Sequence, residues 1–437
     1  MPIQDGMQSA SEFQLDALTI VSASGAAVDL RQVMRELNLF EDLFSNTMTG
    51  NLFIADTQNL INVLPIVGVE HLIVTVIKPS APWKIDKTFR VYKITDRRKS
   101  GASSEDYILH FCSEELILSE SLKISKSYKS MTVSAIISDI TTNFLKIDAT
   151  KFPATALTAT VGNFDVVIPY WSPFQAINWL SRMARTGTLT GCSFVFFEDG
   201  RGYHFDSIES MTQQEPLQII NFMPMNFAAA TREKSAKSDT QIRLESAEEY
   251  ELGQAPDLLK SLSSGMYASR LSRVNILDQQ IKSSTQNGIE FFGKTKHPNK
   301  NTFMQTGQDR TRSTHPEHFE AFHRSAVDNL KIETWLLQRN AYMSAIHGFQ
   351  VKIALSGNMN LRVGQVVVLN LPAASIGLKG EKPLDTQFSG KYLITAVRHK
   401  VDRVKYACIL ELSKDSIGTT LPAPLDGNPA MKKIRQA

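Results

Sequence analysis

Cysteine is scarce in this chain. Three occur in 437 residues, Cys112, Cys192 and Cys408, far apart and each among apolar or strand-like neighbours. An odd number with no C-x-x-C argues against a disulfide framework and a zinc site. Buried free thiols in a reducing compartment are expected. No apolar run reaches the roughly 18 to 20 residues that a membrane helix needs. The segment from Met1 to Ser11 is polar, with no charged region followed by an apolar one, so no signal peptide is expected. Charge of one sign is not in excess: 47 basic against 44 acidic residues leave a net +3. A dedicated nucleic-acid binder shows a stronger and more localised basic excess.

Catalytic motifs are missing too. There is no G-x-S-x-G, and no cysteine lies in an evident electropositive setting. Neither G-x-G-x-x-G nor G-x-x-x-x-G-K-[ST] occurs, so phosphate cradles are not expected. His315, His318 and His323 cluster in HPEHFEAFH, but the spacing of the last two is not that of a helical zinc pair, and no H-E-x-x-H is formed. A solvated helix start is the better reading. Glu41-Asp42, Glu114-Glu115, Glu198-Asp199 and Glu248-Glu249 are carboxylate neighbours, but adjacency does not supply the defined separation of a glycosidase pair. Glu198-Asp199 falls at a predicted hairpin tip and is expected to be exposed. The basic stretch with Lys282, Lys294, Lys296, Lys300, Arg310 and Arg312 reads first as a soluble surface insertion. Its functional alternative is the wall of a DNA channel or an acidic partner's contact. Tyr170-Trp171 and Trp179 could anchor an interface, but beside an amphipathic helix they read first as core.

What is present is ordinary globular material, 42% hydrophobic and 21% charged, enough for several cores and about two to four domains. Leu15–Val28, Thr49–Asp56, His71–Ile77, Phe89–Ile94 and Tyr107–Cys112 have the pattern of strands. The segment opened by Asp29 is mixed, helical at most in part. Thr132 can cap a helix with Ile136, Ile137, Ile140, Phe144 and Leu145 on one face. Ser172-Pro173 opens another, with Phe174, Ile177, Leu180 and Ala184. SFVFF-EDGRG-YHF is a hairpin with glycines in its turn. The chain is polar from about 231 to 345, with a helical pattern from Glu317 to His347. Strands then return through FQVKIAL, GQVVVLNL, KYLITAV and YACILEL.

The two strand-rich ends echo each other at an offset of about 300 residues. Gly68 aligns with Gly364, Tyr92 with Tyr392, Ile94-Thr95 with Ile394-Thr395, and Ser113 with Ser413. A gene-internal duplication is preferred to coincidence, and two similar barrels per chain would let three chains match a sixfold partner.

Glu36–Leu72 (ELNLFEDLFSN…VGVEHL) resembles the N-terminal signature of phage baseplate hub proteins of the T-even type. Lys123–Ile140 and Ser172–Ala184 resemble that family's central block, and Phe194–Met211 the hairpin that follows. LRVGQVVVLNLP and SGKYLITAVRHKV resemble the C-terminal barrel shared with late-control and spike-associated hub proteins. The resemblance covers most of residues 17–415 but not the insertion near 250–345. It implies an α+β chain with two tube-like antiparallel β-barrels, an α+β insertion and a second, polar insertion. The expected divisions are 15–120 for the first barrel, 121–215 for the α+β insertion, 216–250 with 346–415 for the second barrel, 251–345 for the polar and helical insertion, and 416–437 for a tail.

The resemblance also implies a homotrimeric ring in the virion baseplate, assembled in the host cytoplasm. The implied partners are a tail tube or tube-initiator protein, a separate central spike protein and a tape-measure protein, with DNA only as transiting cargo. No catalytic residue, cofactor or metal is expected. By family analogy alone, Leu39, Phe40, Glu41, Asp42, Phe44, Asn46, Gly68 and Gly364 are the candidate interface residues. The competing readings are a tail-associated cell-wall hydrolase and the hub of a bacterial contractile injection system.

Overall fold

Seven strands come first: β1 (Gln14–Val21), β2 (Ala27–Asp29), β3 (Met34–Asp42), β4 (Thr49–Asp56), β5 (His71–Ile77), β6 (Lys84–Lys99) and β7 (Glu105–Ser113), with a short helix α1 (Leu60–Val63) before β5. The computed structural model describes residues 10–63, 66–79, 83–101, 104–187, 191–223, 239–275, 280–304, 319–324, 332, 335–373 and 384–419. In β4 and β5 buried and half-buried residues alternate strictly, the period of a strand with one face on a core. In β3, Leu37, Asn38 and Leu39 are all buried in succession, because Arg398 and Asn51 cover Asn38 on the polar face while the leucines face the core. That run obscures the alternation and explains why the sequence suggested partial helix there; the segment is a strand.

The middle unit follows, with α2 (Glu114–Ser121), β8 (Ile124–Met131), α3 (Val133–Asp139), β9 (Phe164–Trp171), α4 (Pro173–Met183), β10 (Phe194–Asp199), β11 (Gly202–Ser207) and α5 (Ile208–Met211). Helix α4 starts with a capping box: the Ser172 hydroxyl accepts from Gln175 N–H while the Gln175 side chain accepts from Ser172 N–H. Such a cap contributes about 1 kcal/mol. Thr132 caps α3, and the expected apolar face continues past it in a π-helical turn at Ile140–Phe144. Ile136, Ile177, Leu180, Phe194 and Phe205 share this unit's own core.

The chain then enters a second barrel through β12 (Ile219–Phe222), α6 (Asp239–Leu244) and β13 (Ser246–Gln254). An insertion intervenes, with α7 (Leu258–Ser263), β14 (Ala268–Asn275), β15 (Gln280–Asn287), α8 (Gly288–Phe292), β16 (Asn301–Thr302), β17 (Phe319–Arg324) and α9 (Leu336–Ile346). The barrel resumes with β18 (Phe349–Ser356), β19 (Val366–Asn370), β20 (Gly390–Asp402) and β21 (Tyr406–Lys414), and β22 (Ser416–Ile417) follows.

Two expectations change in this stretch. Phe319–Arg324 is a strand lying parallel to β14, not helix, since an available sheet edge overrides a weak local preference. Ser416–Ile417 pairs with β16, so the start of the expected tail is anchored; 420–437 lies outside the described residues.

Among the described residues thirteen strands form one sheet in the order β19-β12-β13-β18-β21-β20-β3-β4-β7-β6-β5-β1-β2, and an extra β19–β20 pairing closes the second barrel. Its strands are antiparallel except β12, which runs parallel to both β13 and β19. The first half has no equivalent closing pair among the described residues.

The echo survives at the level of topology. The order β4-β7-β6-β5 is repeated as β18-β21-β20-β19. One bulge in each ladder repeats, while further slips between Thr95 and Arg98 and between Leu252 and Gln254 have no counterpart. The β6–β7 register slips between Val91 and Lys93, and the β20–β21 register between Ile394 and Ala396. The β3–β4 register slips between Met34 and Glu36, and the β13–β18 register between Ala247 and Glu249. Val91 N–H donates to Glu70 C=O at 3.0 Å, as Ile394 N–H does to Gln365 C=O at 2.9 Å.

These ladders correct the residue matches read from sequence identity. Val91, not Ile94, corresponds to Ile394; Tyr92 corresponds to Thr395, not to Tyr392; Cys112, not Ser113, corresponds to Ser413. Matching letters cannot detect register, which bulges and hydrogen bonds set.

Candidate functional site

The chain's two halves meet where β3 pairs with β20, from Asp42 opposite Ala396 to Glu36 opposite Asp402. One face of this seam is a polar network. Arg398 donates to Asn38 at 2.8 Å and to Glu36 at 3.1 Å, Lys400 approaches Glu36 at 3.0 Å, and Asn38 donates to Asn51 at 2.8 Å. Beside it lies an open groove of about 520 Å³ between the halves, lined by Phe40, Asp42, Thr49, Lys352, Arg398 and Glu411.

The opposite face is buried. Glu41 is 1% exposed and sits 3.7 Å from His399 Nε2, an ion-pair contact rather than a hydrogen bond. Its carboxylate accepts Gly200 N–H at 2.8 Å and Val363 N–H at 3.3 Å. His399 Nδ1 is 2.8 Å from the Tyr406 hydroxyl and 3.5 Å from Cys408 Sγ. Burial would lower the His399 pKa, but Cys408 and Glu41 outweigh it and raise it to about 10. Cysteine, histidine and glutamate side by side have the composition of a nucleophilic site, yet Cys408 and His399 are at most 1% exposed. In this fold the three side chains link β3, β20 and β21.

The β10–β11 hairpin wedges into the same junction. Glu198 accepts from Lys87 Nζ at 2.6 Å, the Ser113 hydroxyl at 2.5 Å and Met48 N–H at 2.9 Å. Asp199 takes Arg362 at 2.8 Å and lies 3.1 Å from His204. Burial would raise its carboxyl, but His204, Arg362 and the Arg201 N–H hold it at about 2. Both carboxylates are at most 5% exposed, which corrects the expected exposed tip. The turn is short, so its acids point at neighbours on three units rather than at solvent. Lys78 adds a further staple, donating to Gly357 C=O at 2.9 Å from the loop after β5. Burial lowers its pKa to about 8.

The candidate interface residues therefore divide. Leu39, Glu41 and Gly364 are packed inside the protomer: the first two are at most 1% exposed, and a Cβ on Gly364 would meet Met211 and Phe197. Asn46 exchanges amide hydrogen bonds with Asn178 at 2.9 Å, tying the first barrel to α4. Phe40 is half-buried under Arg398, Gly68 is half-buried, and Asp42 and Phe44 are exposed.

Sequence reasoning missed Lys87, Arg362 and His399, and it read Glu198 and Asp199 as facing solvent. Nothing local marked them, since their roles arise from partners more than 100 residues away in most cases. Of the histidine cluster, His315 and His318 lie outside the described residues, while His323 is on strand β17. Among the described residues no group of three or more metal-ligating side chains comes together. Tyr170 is 72% exposed, with Trp171 and Trp179 edge-to-face at 5.4 Å behind it. No helix is long and apolar enough to cross a membrane among the described residues.

The architecture is that of phage tail proteins. The chain superposes on the 43 kDa tail protein of prophage MuSo2 from Shewanella oneidensis with a TM-score of 0.54 at 8% identity, over 92% of this chain and 99% of that one. A tail protein from Neisseria meningitidis MC58 gives 0.52 at 12% identity, over 91% and 96%. No family model matches the chain. In sequence it is similar to the probable baseplate hub protein gp334 of Vibrio phage KVP40, 20% identical over 405 residues, 89% of this chain and 92% of that protein. Relative and fold together support a structural role at the hub of a phage tail baseplate, in the virion.

Proposed function

We propose that the chain is a non-catalytic hub subunit, three copies of which close into a ring of six barrel positions between the tail tube and a separate central spike. The observation that carries this reading is the repeat of strand order and of two bulge positions between the halves. A duplicated module lets a threefold assembly present surfaces to a sixfold one. Tube or tube-initiator protein on one face, spike on the other and tape-measure protein within are the partners this geometry would serve, with DNA passing as cargo. The exposed Phe44 and Asp42 are offered to those contacts, with Phe40 and Gly68 at their margin.

The test is the mass of the purified protein in solution, with imaging of the particles. Three protomers in ring-shaped particles are expected. A monomer at all concentrations, or robust lysis of purified peptidoglycan, would overturn the proposal.

A further inference from the structure

The seam inside one chain predicts a seam between chains. Strand β20 carries β19 on one edge as far as Leu393, and from Ala396 to Asp402 the same edge carries β3. Its counterpart β6 carries β5 on that edge as far as Arg90. From Lys93 to Lys99 no strand occupies the edge among the described residues. The counterpart of β3 is β13, by its place beside β18 and by its bulge. Its edge away from β18 pairs with β12 only at Ser246 and Ala247. Beyond that, no described strand covers it. Among the described residues each chain thus has one open edge equivalent to each half of its own seam.

Resting on the ring reading, we infer that β6 of one copy pairs antiparallel with β13 of the next. Charge supports this partner. In the intrachain seam the acid lies on β3 and the bases on β20: Glu36 is bonded by Arg398 and Lys400. Through the ladders Glu249 occupies the place of Glu36, since each follows its bulge and lies opposite equivalent residues, Ala354 and Phe53. Arg98 occupies the place of Lys400, opposite Asp106 as Lys400 is opposite Ala407. The open β13 edge carries Glu248, Glu249 and Glu251; the open β6 edge carries Lys93, Arg97, Arg98 and Lys99 with a single acid, Asp96. Arg97 and Glu248 are already engaged, with Glu105 and Lys405, whereas the Arg98 side chain is 77% exposed, its nearest carboxylate 3.9 Å away.

Apolar exposure points the same way. Leu37 and Leu39 of β3 are completely buried, while their counterparts on β13, Tyr250 and Leu252, are 40% and 48% exposed. An uncovered strand edge with apolar and charged side chains is a template for another strand. Joining unlike edges head to tail also gives an assembly that can close as a ring.

The register gives the test. Lys400 lies opposite Asn38, so Arg98 of one copy should lie opposite Glu251 of the next. Full-length Arg98→Cys and Glu251→Cys proteins are mixed and treated with a short bifunctional thiol reagent; the native cysteines are buried and give little background. Cross-linked dimer from the mixture, and from neither protein alone, is expected. Separately, Glu249→Lys should weaken association about tenfold by placing like charges together, and Arg98→Glu added to it should restore the wild-type mass. A trimeric wild type that neither cross-links in the mixture nor responds to charge reversal would overturn this pairing and leave the ring reading standing. A monomeric wild type would end both.

Discussion

Lys87 on β6 and Glu198 on β10 lie 2.6 Å apart, with side chains only 14% and 5% exposed. The pair ties the middle unit to the first barrel. Breaking one partner of a nearly buried pair leaves the other charge without compensation. Glu198→Ala should therefore lower stability by about 3 kcal/mol, and the Ser113 hydroxyl and Met48 N–H lose their acceptor too. Urea unfolding followed by tryptophan fluorescence measures this. A midpoint within error of wild type would contradict the role given to the hairpin.

His399 supplies a pH test. Its pKa in the fold, about 10, is raised above the ordinary value of 6.5. The stability this contributes is complete below pH 6.5 and is lost as pH climbs through 10. Wild type should lose melting temperature relative to His399→Gln across that window. Melting curves at several pH values would detect it, and a constant gap would rule the buried imidazolium out.

Lys414 should behave in the opposite sense. Its ammonium donates to Gln387 and Ser389 carbonyls at 2.6 and 3.0 Å and lies over the Tyr392 ring, yet burial lowers its pKa to about 7. Between pH 7 and 10.5 the unfolded chain binds the proton more readily than the folded one, so folding is favoured by raising the pH. Wild type should gain stability relative to Lys414→Met over that range in the same melting experiment.

Gly202 and Gly25 form a matched pair. Both have positive φ, +152° and +84°, but a Cβ at Gly202 would collide with the Lys151 carbonyl oxygen while one at Gly25 would meet nothing within 4 Å. Gly25→Ala should cost about 1 kcal/mol of backbone strain. Gly202→Ala should cost about 2 kcal/mol or more, because the Lys151 segment must also move. Equal destabilisation by the two in chemical denaturation would show that the close approach is unimportant.

Much of the fold could be read from single segments. The alternation in His71–Ile77, the Ser172-Pro173 helix start and the SFVFF…YHF hairpin each carry their own geometry, because period and capping are local properties. What escaped notice depends on distant partners. Leu37–Leu39 lost its alternation because β20 arrives from 360 residues away. Phe319–Arg324 became a strand because β14 offered an edge. Glu198 and Asp199 looked like a polar tip because their counter-ions, Lys87 and Arg362, are on other units. The repeat itself was visible, but its register was not, since bulges add residues without leaving a mark in the letters.

The division of the second barrel has a consequence for synthesis. Strands β12 and β13 leave the ribosome long before β18 to β21 exist to complete their cylinder, and β3 waits for β20 almost to the end of translation. A nascent chain in that state displays unsatisfied strands that can join a neighbour on the same message instead. Such long-range closure is slow, so a polypeptide stopped before Gly390 should be held by chaperones or precipitate, whereas one released after Ile417 can complete its fold.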